Sequence, residues 1–193
     1  MKKSNFYLLY SGDKSLLNNE VNKLKKNLNI TSDSIYYDIE NVSDIIVEAF
    51  TIGMFDPYKF IVIDSDNYFL QKSEFDISLL EEYFNNYNTN SYLIFILNSG
   101  SVDSKKKLYK LINDNGTINK LSVTEEYLDT FVRNYIKDNG FTMSDMDIKF
   151  FLGRCNKDID NIKNELDKLM LYKLEEKVID KDDIILLVDE DID

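Results

Sequence analysis

The chain has 193 residues, of which 44% are hydrophobic and 30% charged, a balance typical of a folded protein with one large or two small domains. Its net charge of −12 disfavours autonomous binding to nucleic acid, and the absence of His removes the commonest general base and metal ligand. The single Cys155 excludes an internal disulfide, and no apolar run approaches the ~20 residues that span a membrane. We therefore expect a cytoplasmic protein without an export signal, a metal or another cofactor.

Five short runs rich in Ile, Val, Tyr and Phe predict strands, and four stretches with apolar residues at helical spacing predict helices between them. The strand runs are residues 6–10, 34–39, 59–63, 91–97 and 117–121. The runs at 60–63 and 92–97 are almost continuously apolar, which indicates burial on both faces of a parallel sheet. The alternation predicts an open, doubly wound α/β sheet flanked by helices.

Beyond residue 121 the pattern becomes helical. Three apolar stripes, at 128–136, 148–155 and 159–170, and a short fourth at 182–188 predict a small all-α helical bundle. We therefore predict two domains, residues 1–121 and residues 122–193. The last residues are mostly acidic and favour a linker, so we expect the chain to be a piece of a longer protein.

The turn after the first predicted strand lies where a P-loop would be in such a fold. A functional loop needs G-x-x-x-x-G-K-[ST], in which backbone N–H groups and the lysine hold phosphates. Gly12, Lys14 and Ser15 are present. Asp13, however, replaces the glycine before the lysine, and Leu8 takes the place of the first glycine. Because a carboxylate would repel phosphate, this turn favours a capped strand-to-helix connection over a nucleotide site.

The second element of a nucleotide site would be an apolar strand that ends in Asp-Glu. Here the strand at 59–63 is followed by Asp64, Ser65 and Asp66, and a serine cannot act as the base. Hydrolysis of ATP is therefore disfavoured, and the two aspartates fit better as polar residues at a strand end. Lysines 105–107 form the densest basic cluster, which could contact phosphate but is more typical of a solvated helix face.

One connection carries more large apolar side chains than a surface loop usually does. Residues 52–58 link a predicted helix to the strand at 59–63 and include Ile52, Met54 and Phe55. These side chains either fold under as a lid on the core or point outward as a plug for a partner. The residues alone favour the lid, since scattered apolar loop residues usually pack inward.

The order and spacing of these segments resemble those of the delta subunit of the bacterial DNA polymerase III clamp loader. Residues 6–13 are similar to that family's degenerate opening strand and loop, and residues 49–55 to a segment that ends in an apolar residue followed by Phe. Residues 105–110 and 158–169 resemble two of its later helices. The resemblance implies an AAA+ like sheet, a helical second domain and a C-terminal collar domain that this chain lacks.

The resemblance also implies a function without catalysis. Ile52, Met54 and Phe55 would form a hydrophobic plug that enters a pocket of the sliding clamp, although Thr51 and Gly53 make the segment a loose match to other clamp-binding peptides. The implied partners are the sliding clamp and the other clamp-loader subunits, with DNA contacted only weakly or indirectly and no membrane. The subunit would grip and open the clamp during DNA replication while its neighbours hydrolyse ATP.

Two other classes of protein stay open at this point. An ATPase or nucleotide kinase with an unusual phosphate loop would bind nucleotide together with Mg²⁺, and an adaptor of the same fold would bind a different protein. The delta-prime subunit of the same loader is disfavoured. Its zinc ligands and arginine finger have no counterpart here, because the chain has no His, one Cys, and arginines only at Arg133 and Arg154.

Overall fold

The computed structural model describes residues 4–51, 57–71 and 76–189. The chain divides into two compact units, Met1–Ser122 and Val123–Asp193. None of the helices within the described ranges is both long and apolar enough to cross a bilayer.

The first unit alternates strands with helices. Its described elements are β1 (Phe6–Ser11), α1 (Lys14–Asn27), β2 (Ser34–Asp38), α2 (Val42–Phe50), β3 (Lys59–Asp64), α3 (Asp66–Leu70), α4 (Ser78–Asn85), β4 (Ser91–Asn98), α5 (Lys107–Asn115) and β5 (Thr117–Lys120). A single turn of 3-10 helix, Ile39–Asn41, precedes α2. Each predicted strand begins at the observed residue and ends within one residue of the observed end, whereas α3 was not predicted, because five residues are too few to display helical periodicity.

The five strands form one parallel sheet in the order β2-β3-β4-β1-β5. From β1 the chain crosses to the edge strand β2, returns through β3 to β4, and then passes over β1 to β5. The neighbouring strands β1 and β4 therefore send the chain toward opposite edges of the sheet. The carboxyl end between two such strands is where doubly wound folds usually bind their ligands. The predicted parallel, doubly wound sheet is confirmed.

Side chains alternate between two hydrophobic layers across this sheet. In β1, Phe6 and Leu8 pack among the helices α2 to α5, whereas Tyr7 and Leu9 pack against α1. Burial on both faces, as predicted for the runs at 60–63 and 92–97, is complete at the neighbouring Leu93 and Ile94, which are 0% exposed and belong to opposite layers. Each such side chain contributes about 1.5–3 kcal/mol to folding before entropy costs. The sheet is therefore a stable scaffold for the residues at its two ends.

The second unit is mostly helical. It contains α6 (Glu125–Asp138), α7 (Asp145–Arg154), α8 (Ile159–Tyr172) and α9 (Lys181–Leu187), together with a short parallel pair, β6 (Thr142–Met143) and β7 (Val178–Ile179). A Ser, Thr or Asp side chain accepts a backbone hydrogen bond at the start of each helix, which fixes where it begins. These N-caps are Thr124, Ser144, Asp158 and Asp180. The predicted C-terminal helices are confirmed; the two-residue strands were too short to be found from sequence.

Candidate functional site

The turn after β1 lies at the carboxyl ends of the strands, which we call the carboxyl edge. Asp13 is the N-cap of α1: its Oδ1 accepts a hydrogen bond from the Leu16 amide at 2.9 Å, and its carbonyl accepts from the Leu17 amide at 3.2 Å. The Asp13 amide donates to Ser11 Oγ at 3.1 Å. Because a phosphate would bind at such a helix start, the chain's own carboxylate occupies the place of an anion.

The other residues of this turn have no special backbone conformation. Gly12 and Lys14 are exposed and Ser15 is half-buried. Gly12 has no positive φ, and a Cβ placed on it would meet only Gly100 N at an ordinary 3.7 Å. The turn therefore spans two residues between strand and helix, without the glycine-rich wrap that surrounds phosphates in a P-loop.

The residues after β3 join that strand to β4. Ser65 is 0% exposed, and its Oγ donates to the Ile96 carbonyl at 2.6 Å. Asp66 accepts a hydrogen bond from the Asn98 amide at 2.7 Å. Burial raises the pKa of Asp66 and the Asn98 hydrogen bond opposes that rise, while the neighbouring Asp64 adds to it. These side chains thus serve the packing of the sheet ends.

The space left at the carboxyl edge is small. One cavity lies there, with a volume of about 50 Å³, lined by Lys14, Leu17, Asn18, Asp64, Asp66, Ile96 and Asn98. Pockets that hold small molecules or cofactors usually measure roughly 300–1,000 Å³. No group of three or more His, Cys, Asp or Glu residues in the described part of the chain has a metal-binding arrangement. The cavity has room for roughly one or two water molecules.

One lysine near this edge is not the solvated residue that its basic cluster suggested. Lys106 Nζ donates to the carbonyls of Tyr68 and Gln71, the latter at 3.0 Å, and lies 4.9 Å from the centre of the Tyr68 ring. The Tyr68 hydroxyl in turn accepts from the Leu108 amide at 3.2 Å. A cation is favourable at the carboxyl end of a helix, so Lys106 fastens the end of α3 to the start of α5. Its neighbours in the cluster, Lys105 and Lys107, are exposed.

The opposite ends of the strands form what we call the amino edge, which bears the flanks of the predicted plug. Ile52, Met54 and Phe55 themselves lie outside the described residues. On the preceding side, Thr51 ends α2: its amide donates to the carbonyls of Val47 and Glu48, both at 3.1 Å. The described chain on this side of the segment therefore stops at a hydrogen-bonded helix end.

Asn88, in the turn before β4, and Ser91, the first residue of β4, converge on one carbonyl of α2. Ser91 Oγ donates to the Ala49 carbonyl at 2.6 Å, and Asn88 Nδ2 donates to the same oxygen at 3.0 Å. On the following side of the segment, Lys59 forms an ion pair with Glu48, whose side chains are 11% and 25% exposed. These contacts were not predicted from the sequence. The one sequence feature that could have indicated them is Ser91, a polar residue at the start of an otherwise apolar run.

An aromatic pair lies beside these contacts. Phe50 is 49% exposed and packs edge-to-face on Tyr83 at a ring separation of 5.0 Å. Tyr83 is 1% exposed, and burial raises its pKa to about 12. The Asn88 backbone and the Ser91 hydroxyl lower this pKa, but by less than burial raises it. The amino edge thus combines a partly exposed aromatic ring with a buried polar cluster beneath it.

The parallel sheet with its flanking helices and the helical second unit are those of an AAA+ like fold. A family model described as "DNA polymerase III, delta subunit" matches residues 4–122. The chain belongs to this family. A comparison with curated proteins finds no significant match.

Solved structures show the same fold. The Bacillus subtilis DNA clamp loader delta protein YqeN superimposes with a TM-score of 0.68 at 18% identity, over 96% of this chain and 58% of that one. The Thermotoga maritima RuvB Holliday junction branch migration motor gives 0.59 at 13% identity, over 94% and 60% of the two chains. Domain III of the Thermotoga maritima replication initiation protein DnaA gives 0.50 at 16%, over 96% and 83%. The chain spans under two thirds of the clamp loader delta protein that it matches.

Proposed function

We propose that this chain is the clamp-gripping part of a clamp-loader delta subunit, which binds and opens the sliding clamp during DNA replication in the cytoplasm. The observation that carries the proposal is the family match over residues 4–122, which includes the whole amino edge and the segment between α2 and β3. The resemblance of residues 49–55 to the family's apolar-Phe segment points to the same place.

The proposed contact is the segment of residues 52–56, which we call the plug. Its apolar side chains, Ile52, Met54 and Phe55, would enter an apolar pocket of the clamp. Burial of each large side chain would contribute roughly 1.5–3 kcal/mol before ordering costs. Two such residues at the centre of an interface are enough to act as a hot spot.

The proposed role of the chain is mechanical. Binding would hold one clamp protomer in a conformation that fits a closed ring poorly, so that the differential affinity for the two conformations opens an interface. No catalytic group is needed for this step. The cap of α1 by Asp13 and the cavity of about 50 Å³ support an action without ATP hydrolysis by this chain. The other clamp-loader subunits would supply hydrolysis, and the net charge of −12 supports at most weak or indirect contact with DNA.

Surface plasmon resonance with the sliding clamp of the same organism tests the proposal. The parent chain should bind, and the double variant Met54→Ser, Phe55→Ser should lose at least a hundredfold in affinity, about 2.7 kcal/mol. The matched control is Leu171→Ser, Tyr172→Ser, an adjacent pair on α8 with 73% and 55% exposure. The control should bind like the parent. A folded parent that does not bind, or a control that loses as much as the plug variant, would contradict the proposal.

Clamp opening needs a separate measurement. Two fluorophores placed across the clamp's subunit interface report its separation by energy transfer. Addition of the parent chain should lower the transfer efficiency, and addition of the plug double variant should leave it unchanged. Binding without any change in transfer would restrict the function of this chain to gripping the clamp.

A further inference from the structure

The turn at residues 88–91, which follows α4 and ends at the first residue of β4, contacts both flanks of the proposed plug. On the preceding side, Ser91 Oγ and Asn88 Nδ2 donate to the Ala49 carbonyl in the last turn of α2. On the following side, the Asn90 carbonyl accepts a hydrogen bond from the Lys59 amide at 2.9 Å, where β3 begins. We propose that Ser91 and Asn88 are positioning residues for clamp binding, which hold the end of α2 so that the plug is presented from a fixed base. This inference rests on the proposed function.

The contact with Ala49 is suited to holding a helix end. The last four carbonyls of a helix have no partner within the helix, so an outside donor decides how that end is fixed. At Ala49 two donors from one turn meet at one oxygen, and Ser91 is 0% exposed, so water has no access with which to replace its hydroxyl. A surface residue making the same bond would be a much weaker anchor.

The turn is itself held in place. Asn88 accepts a hydrogen bond from the Asn90 amide through its own side-chain oxygen at 3.0 Å. Asn5, the residue before β1, donates through Nδ2 to the carbonyls of Thr89 and Ser91 at 2.8 and 2.9 Å. The position of the turn is therefore set by the sheet. The hydrogen bonds from Ser91 and Asn88 to Ala49 then fix the end of α2 relative to this turn.

The two flanks are also fastened to each other. The ion pair between Lys59 and Glu48 joins the first residue of β3 to the last turn of α2, and both side chains are mostly buried. A short segment whose two ends are fixed loses less conformational freedom when it binds than one whose ends are loose. When a fraction of molecules has a loosened base, the apparent affinity falls by that fraction.

The same sheet offers a matched control. Ser65 is also 0% exposed, and its hydroxyl also donates to a carbonyl at 2.6 Å, but at the carboxyl edge. Ser65→Ala and Ser91→Ala therefore remove the same kind of bond from the same core. We expect Ser91→Ala to weaken clamp binding by about fivefold and Ser65→Ala by less than twofold, at a similar loss of melting temperature. Asn88→Ala, at a half-buried site, should weaken binding about threefold and tests the same anchor if Ser91→Ala does not fold.

Amide hydrogen exchange, measured without the clamp, gives a second readout. Exchange of the Thr51 amide, which closes α2, should be faster in Ser91→Ala than in the parent and unchanged in Ser65→Ala. If the parent binds the clamp but Ser91→Ala and Asn88→Ala bind no worse than Ser65→Ala, the positioning role is wrong and the proposed function stands. If the folded parent does not bind, the proposed function is wrong and this inference is overturned with it.

Discussion

Replacement of Lys106 by Met tests how firmly the carboxyl edge is fastened. The change removes the ammonium that donates to the Tyr68 and Gln71 carbonyls and that lies 4.9 Å from the Tyr68 ring centre, while the Met side chain keeps most of the apolar stem. A charged hydrogen bond contributes about 1.5–3 kcal/mol when buried, and a cation over an aromatic ring about 0.5–1 kcal/mol at an exposed site. Because Lys106 is only half-buried and water can replace part of these contacts, we expect a loss of about 1–2 kcal/mol in the free energy of unfolding of the first unit.

Urea denaturation followed by circular dichroism measures this loss. The control is Lys105→Met, at an exposed neighbour, which should change the free energy of unfolding by less than about 0.5 kcal/mol. At about 2–4 °C of melting temperature per kcal/mol for a chain of this size, Lys106→Met should melt a few degrees lower than Lys105→Met. Equal stabilities of the two variants would refute the reasoning and return Lys106 to the solvated face predicted for its cluster.

Three further outcomes concern the same edge. Asp13→Ala should lower the free energy of unfolding by about 1 kcal/mol, since it removes the acceptor for the Leu16 amide, whereas Asp13→Asn should stay close to the parent in urea denaturation. Burial raises the pKa of Asp66 above its usual 3.8, so the stability linked to its proton is present below pH 3.8 and lost as the pH rises through the folded-state pKa. Asp66→Asn can still accept from the Asn98 amide. The free energy of unfolding of this variant, relative to that of the parent, should therefore be higher at pH 7 than at pH 3. The opposite order would contradict the reasoning. Calorimetric titration with ATP and Mg²⁺ should show no micromolar binding to the parent, and such binding would restore the ATPase or nucleotide kinase alternative.

The strands of the first unit were predictable because their signal is local and strong. The apolar runs at 59–63 and 91–97 are bounded by polar residues and are buried on both faces, so composition alone marks their ends. The sheet order was not predictable from these runs. It depends on which strands pair, and pairs such as Leu8 with Phe95 join residues far apart in sequence.

The candidate site divides in the same way. The failure of the P-loop could be seen at Asp13, because one residue in the wrong place breaks a motif with a known chemistry. The contacts that hold the amino edge could not be predicted, because Ser91 and Asn88 lie 42 and 39 positions along the chain from their partner Ala49. The role of Lys106 was also not predictable, because its carbonyl partners lie in, and directly after, a short helix that the sequence pattern does not reveal.

The two edges of the sheet are separated by the length of its strands. Lys59, at the base of the proposed plug, and Asp64, at the carboxyl edge, are the first and last residues of β3, and a strand of six residues spans roughly 17 Å. The carboxyl edge is closed by the chain's own groups, with Asp13 in the anion position and Ser65 bonded to β4. A contact made at the proposed plug would therefore lie about one strand length from the closed carboxyl edge. Any influence between the two would have to pass along buried strands, which resist small displacements because their side chains are close-packed on both faces.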